Sequence, residues 1–157
     1  MSGRVEWHQR LHFDGRSTAA SDCTWDTAAR SIRDLNGLGR TDVFLGYLGD
    51  EGVERQLSVS GGNSSGYLVV VQELECHFFL ARRPASTEPE GLVEVAVGGL
   101  PAYFPPTLVH PLKAALSAAE HYFRTGRRSR QLSWMRGDVA ERLRRQAEPS
   151  AKPDPAA

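Results

Sequence analysis

Between Asp42 and Ala81 the chain is a succession of short apolar or alternating runs, each closed within a few residues by glycine, asparagine, serine or acidic residues. Runs this short do not make helices, and spaced this closely they pair with their neighbours in sequence, so the middle of the chain is constrained to an antiparallel meander. Asp42 to Leu48 predicts one strand, followed by the turn-prone Gly49-Asp50-Glu51-Gly52, and Arg55 to Ser60 predicts the next. Gly61-Gly62-Asn63-Ser64-Ser65-Gly66 predicts a hairpin turn into Tyr67 to Val71, whose β-branched run suits a central strand. Glu75 to Ala81 is the following strand. The Pro-, Ser- and Glu-rich piece Arg83 to Gly91 reads as an exposed loop before a strand over Leu92 to Val97.

The flanks read differently. Arg4 to Phe13 alternates loosely and predicts an opening strand ended by Asp14-Gly15, with a polar loop from Arg16 to Cys23. Thr24 is placed to cap a helix in which Trp25, Ala28, Ala29, Ile32 and Leu35 share a face and Asn36-Gly37 is the stop. Pro101, Pro105 and Pro106 predict an irregular crossing. Pro111 then opens a helix whose stripe is Leu112, Ala115, Leu116, Ala119, Tyr122 and Phe123, ended by Gly126. Arg130 to Met135 reads as a final strand, and Asp138 as the cap of a short Arg-rich helix to about Gln146. The expected fold is therefore α+β, an antiparallel meander of about five to seven strands with two main helices on one face and a short C-terminal helix. The other face is expected to be open to a partner. Residues 1–146 are expected to form one domain and 147–157 a disordered tail.

A chain of 157 residues can bury a core without metals or disulfides. No run is long and apolar enough to cross a bilayer, and the first residues lack the apolar segment of a signal peptide, so a cytoplasmic protein without membrane contacts is expected. Cys23 and Cys76 lack the spacing of a zinc knuckle or redox pair, and both are expected to stay free. Formal charge is zero, but unevenly placed: Met1 to Phe123 carries 15 acids against 10 bases, whereas Arg124 to Gln146 carries 8 arginines against Asp138 and Glu141.

The search for chemistry finds no catalytic constellation. His8 and His12 share a strand face, but His8, His12, His77, His110 and His121 include no pair at metal-ligand spacing on a helix. The glycine-rich segment at Gly61 lacks the Lys-Ser/Thr of a phosphate loop and joins two strands instead of opening a helix. Neither Ser64 nor Ser65 has the Gly-x-Ser-x-Gly context of an activated nucleophile. No metal and no cofactor are expected. Two charged regions remain as binding surfaces. Asp50, Glu51, Glu54, Glu73, Glu75, Glu88 and Glu90 fall at or near strand ends, where clustering would make an acidic rim suited to a basic partner. Arg124, Arg127, Arg128, Arg130, Arg136, Arg142, Arg144 and Arg145 could instead hold a phosphate backbone, although they lack interleaved aromatics.

One arrangement is more specific. Trp25-Asp26 opens a helix running to Leu35; Val43 to Leu45 follows, then Leu57-Ser58-Val59-Ser60-Gly61-Gly62 before Gly66-Tyr67. The chain closes with Tyr103-Phe104-Pro105-Pro106, the helix Val109 to Phe123, Thr125-Gly126, and a strand ending at Trp134. This order, over about residues 24 to 135, resembles the type-one Imm immunity proteins of bacterial polymorphic toxin systems. The resemblance implies a non-enzymatic protein encoded beside its toxin, which protects the producing cell by binding the toxin domain, often a nucleic-acid deaminase, and blocking its active site. Family-motif positions Trp25, Gly61, Gly62, Tyr67, Phe104, Pro105, Thr125, Gly126 and Trp134 are expected in core and turns. The loop from Asp14 to Cys23 and everything after Met135 depart from the pattern. Toxin contacts are expected from the acidic strand ends together with Tyr47 and Tyr103. The alternative is a nucleic-acid-binding or regulatory module using the Arg-rich end, and homo-oligomerisation is left open.

Overall fold

The computed structural model describes the backbone of residues 6–11, 17–18, 24–49, 52–82 and 91–148, and the side chains of 24–46, 55–82 and 91–148. The meander is formed by β3 (Asp42–Gly49), β4 (Gly52–Asn63), β5 (Gly66–Glu73) and β6 (Cys76–Ala81), each antiparallel to the next. β1 (Glu6–Leu11) lies outside β3, with the two-residue β2 (Ser17–Thr18) beyond it. The two-residue β9 (Val109–His110) pairs with the start of β5, and β10 (Ser133–Arg136) closes the other edge beside β6, giving an eight-stranded sheet.

One face of this sheet carries the main core. Register places Val43 opposite Val59, Val59 opposite Val69, and Leu57 between Leu45 and Val71, so all six point to the same side; each is at most 1% exposed. Helices α1 (Trp25–Arg33) and α2 (Leu112–Thr125) cover them. At the start of α1 the Thr24 hydroxyl accepts from the Thr27 amide at 3.2 Å, satisfying a donor that the helix leaves unpaired. α2 ends where Gly126 adopts φ +69°, and its amide returns to the Tyr122 carbonyl at 2.7 Å. Ala28, Ala115, Ala118 and Ala119 are buried between helices and sheet, and their small side chains let the backbones approach. The fold is α+β, with the two main helices on one face.

Five details correct the sequence reading. The opposite face is covered in part. β7 (Val93–Val97) and β8 (Leu100–Phe104) form a separate two-stranded sheet against it, and the third helix, α3 (Gly137–Ala147), packs beside β6. Leu68, Val95, Leu108, Val109 and Ala140 make a second buried cluster there, with Phe79, Phe104 and Met135 against it. Pro101 lies within β8, not in an irregular crossing. Pro101 opposes Ala96, one step from the Val97–Leu100 pair that closes the hairpin, a non-hydrogen-bonded position whose amide faces the ribbon's free edge. Gly61 and Gly62 belong to β4, and the hairpin turn is confined to Ser64 and Ser65 between paired Asn63 and Gly66. The final strand is shorter than the predicted Arg130 to Met135, because Arg127 to Leu132 forms a turn. α3 begins after Arg136, with Asp138 in its first turn and no side-chain cap bond. α3 runs through Ala147; residues 149–157, expected as a tail, lie outside the described residues.

Candidate functional site

Antiparallel pairing brings the β3–β4 and β5–β6 turns to one end of the sheet. β5 meets β6 through a two-residue turn, Leu74-Glu75, between the paired Glu73 and Cys76. Leu74 has φ +54° and is 86% exposed. The first position of such a turn favours glycine, and a leucine there is both strained and unburied. Glu75 and Cys76 are exposed beside it.

Glu73 faces the helical side, opposite Arg55 in the register. The turn after α2 lays Arg128 across it. The Arg128 Nε and Nη2 lie 3.0 and 3.3 Å from the two Glu73 oxygens, and the guanidinium carbon is 3.6 Å above the Phe78 ring centroid. Arg55 donates to the Gly126 carbonyl at 3.1 Å, at the negative end of α2. Ser129 is buried, and its carbonyl accepts from the Trp134 indole nitrogen at 3.0 Å. Arg55, Glu73, Arg127, Arg128, Ser129, Arg130, Leu132 and Trp134 together enclose a cleft of about 400 Å³. In the core behind it, burial pushes the Tyr122 phenol above the ordinary tyrosine range, with the charge of Arg55 acting the other way, so it stays protonated.

The residues proposed for partner contact are placed as follows. Tyr47 and Glu54 have their backbones in β3 and β4 at the end of the sheet where Glu73 and Glu75 lie. Tyr103 is half-exposed on β8, its hydroxyl 3.3 Å from Glu94. Its hairpin neighbour Val95 abuts Gly61, six residues along β4 from Arg55, so Tyr103 belongs to a region roughly 20 Å from the β5–β6 turn. The structure therefore does not bring Tyr103 together with Glu73 and Glu75. Asp50, Glu51, Glu88 and Glu90 lie outside the described residues. The arginine cleft beside Glu73 was not legible in the sequence as a cleft, because Arg55 and Arg127 to Arg130 are brought together only by the α2 overlay.

The remaining motif positions have identifiable contacts. Trp25 packs on Phe123 with ring centroids 5.8 Å apart, and Phe104 on Phe79 at 6.3 Å. The Thr125 hydroxyl donates to the His121 carbonyl at 2.7 Å; Pro105 is buried, and Tyr67 packs against the main core. Gly61 and Gly62 have φ +112° and +95°; a Cβ on Gly62 would lie 2.3 Å from the Leu35 carbonyl oxygen, so β4 can pass the end of α1 only as glycine.

At the far end of the sheet the carboxylate of Asp42 is buried. Its Oδ1 accepts from Ser60 Oγ at 2.6 Å, and its Oδ2 from Thr41 Oγ1 at 2.5 Å and from the Gly98 amide at 2.8 Å. Thr41 Oγ1 in turn accepts from the Gly99 amide at 3.1 Å. This network fastens the β7–β8 turn to the main sheet. Among the histidines, His110 is buried with Nε2 2.6 Å from the Leu80 carbonyl oxygen, so the neutral ring donates there. Burial, with Arg82 nearby, lowers its pKa against the opposing pull of that hydrogen bond. His77 and His121 are exposed; His8 is described only as backbone in β1, and His12 and Cys23 lie outside the described residues. Among the described residues no group of three or more His, Cys, Asp or Glu is placed to hold a metal ion, and no helix is long and apolar enough to cross a membrane.

The sequence model of one family, described as Immunity protein Imm1, matches residues 18–136. No curated protein matches the chain.

Proposed function

The chain belongs to the Imm1 immunity-protein family, and from that premise we propose that it binds the toxin domain encoded beside its own gene and neutralises it by covering the active site. The observation that carries this reading is the extent of the family match. It spans α1, the whole meander, the β7–β8 sheet, α2 and β10, and takes in every buried residue of the main cluster and all of the second except Ala140 on α3. The reading places the protein in the cytoplasm of a bacterium with a polymorphic toxin system, acting by binding without catalysis. A nucleic-acid deaminase is the proposed class of toxin.

The proposed contact residues are Tyr47, Asp50, Glu51, Glu54, Glu73, Glu75, Glu88, Glu90 and Tyr103; of the described ones, Tyr47, Glu54, Glu73 and Glu75 form a first region at one sheet end and Tyr103 lies in a second. A stable interface covers about 800 Å² per partner, more than one turn provides. What supports the first region is Leu74. A leucine held at positive φ and left exposed between two acids keeps backbone strain and unburied apolar surface of the kind that clusters at binding sites.

The nucleic-acid reading is disfavoured by the ion pairs of the Arg-rich end. Arg124 pairs with Glu120, Arg128 with Glu73, Arg136 with Asp138, Arg144 with Glu141 and Glu148, and Arg145 with Glu141. Neighbouring carboxylates of this kind repel a phosphate track.

Co-expression with the adjacent toxin domain tests the proposal, scoring growth rescue and co-purification together. Rescue with a stable complex is expected; toxicity unrelieved by well-folded protein refutes it. Leu74→Gly tests the surface. It relieves left-handed strain and is expected to raise unfolding stability by about 1 kcal/mol, measured in urea, while weakening the toxin complex by about tenfold. Unchanged toxin affinity removes this turn from the interface.

A further inference from the structure

The cleft beneath the end of α2 has a composition that the acidic-rim reading does not use. Among the described residues, four guanidinium groups, from Arg55, Arg127, Arg128 and Arg130, line it with one carboxylate, that of Glu73. Arginine stays charged at any physiological pH, so the described lining of this open cleft carries a net positive charge. Two of the four are already oriented. Arg128 is fixed by Glu73 and by Phe78 beneath it, and Arg55 by the Gly126 carbonyl. Arg127 and Arg130 are exposed on either side of buried Ser129.

We infer that this cleft receives the carboxylate of an aspartate or glutamate side chain projecting from the partner protein, with Arg127 and Arg130 as its principal partners; the identity of that partner rests on the immunity reading. A planar guanidinium fork matches a carboxylate through paired hydrogen bonds. At about 400 Å³ the cleft admits one side chain with its neighbouring backbone. A nucleic-acid strand fits less well. Its phosphates repeat along an extended track, whereas Glu73 stands in the wall here, and Arg124 and Arg136 on either side in sequence are paired to Glu120 and Asp138. The interface at this end of the sheet is thus reciprocal. Glu75 and Leu74 project toward the partner, and the partner returns an acid into the cleft.

The test uses the full-length protein. A short polyglutamate peptide, inorganic phosphate and a single-stranded oligonucleotide are each titrated while the Trp134 indole N–H, which lies in the cleft wall, is followed by NMR. The peptide is expected to shift that resonance, and Arg127→Gln with Arg130→Gln to weaken the response about tenfold. Arg142→Gln, at an exposed position of α3 outside the cleft lining, is expected to leave it unchanged. Both altered cleft residues are exposed, so the double variant keeps the fold, which its amide spectrum verifies. A peptide that leaves Trp134 unmoved, or moves it equally in the double variant, overturns the inference. So does tighter binding of phosphate, which reassigns the cleft to a small anion, or of the oligonucleotide, which reassigns it to nucleic acid. With the adjacent toxin domain, about tenfold weaker binding by the double variant is expected. Equal affinity overturns the cleft assignment and leaves the immunity reading standing. Failure of the toxin to bind the unaltered protein overturns that reading and the occupant named here with it.

Discussion

Gly62 and His110 show how individual residues are held to their identity by surroundings far away in sequence. At Gly62 a side chain would meet the Leu35 carbonyl oxygen, and φ is +95° as well. Gly62→Ala is expected to cost about 3 kcal/mol from backbone strain and overpacking combined. Gly39→Ala, where no atom lies within 4 Å of the added methyl, should stay within about 0.5 kcal/mol of the parent. Urea unfolding of the two variants checks the contrast. For His110 the folded pKa lies below the ordinary value of 6.5. The unfolded chain therefore takes up a proton that the folded protein resists. The stabilisation is complete above pH 6.5 and is lost as pH falls from there toward the folded pKa. His110→Gln is expected to flatten the fall in stability below pH 6.5, measured as urea midpoints across a pH series; an unchanged slope refutes the assignment.

Among the elements, the β7–β8 hairpin shows the largest departure from local expectation. Its strands are short, and one contains Pro101, so it could not have joined the interior of the main sheet. It is held instead by Val95 in the second cluster and by the Asp42 network at its turn. A carboxylate serves here because both oxygens accept, one from Ser60 and the other from Thr41 and Gly98. Asp42→Asn replaces one acceptor by an NH2 that faces donors. About 2 kcal/mol of stability should be lost, together with faster hydrogen exchange at the Gly98 and Gly99 amides. Protection unchanged at those amides would show that the hairpin is held by its packing in the second cluster alone.

For the molecule as a whole, the sheet is a partition between two unequal cores. The larger holds α1 and α2, and the smaller is closed by the hairpin on one side and α3 on the other. α3 carries many arginines, but Ala140 is 3% exposed and sits against the second cluster, so the helix is part of the fold and not an appended basic arm. Deleting residues from Gly137 onward should cost about 3 kcal/mol through exposure of Phe79 and Met135. In a chain of this length that lowers Tm by roughly 6–12 °C, with increased binding of a hydrophobic dye. An unchanged Tm would return α3 to the status of a surface appendage.

Periodicity and turn chemistry, read along the chain, determined the meander, the positions of α1 and α2, and the α+β class. These depend on contacts within a few residues: Thr24 capping Thr27, Gly126 ending α2, the β-branched run Val69 to Val71 in β5. The closing motif from Tyr103 to Trp134 likewise pointed to the immunity family, because a family pattern is itself written in order along the chain. Pairings between distant segments were not legible. Nothing near Gly61 or Gly62 in sequence announces that β4 must slip beneath Leu35, and nothing near Pro101 reports that its strand would pair in a separate ribbon. The Arg-rich end was visible as a charged region, but that Arg55 joins Arg127, Arg128 and Arg130 around Glu73 is decided only when α2 crosses the end of the sheet. Local rules set what each segment becomes, while burial and charge compensation across the fold decide which surfaces are covered and which are left to meet a partner.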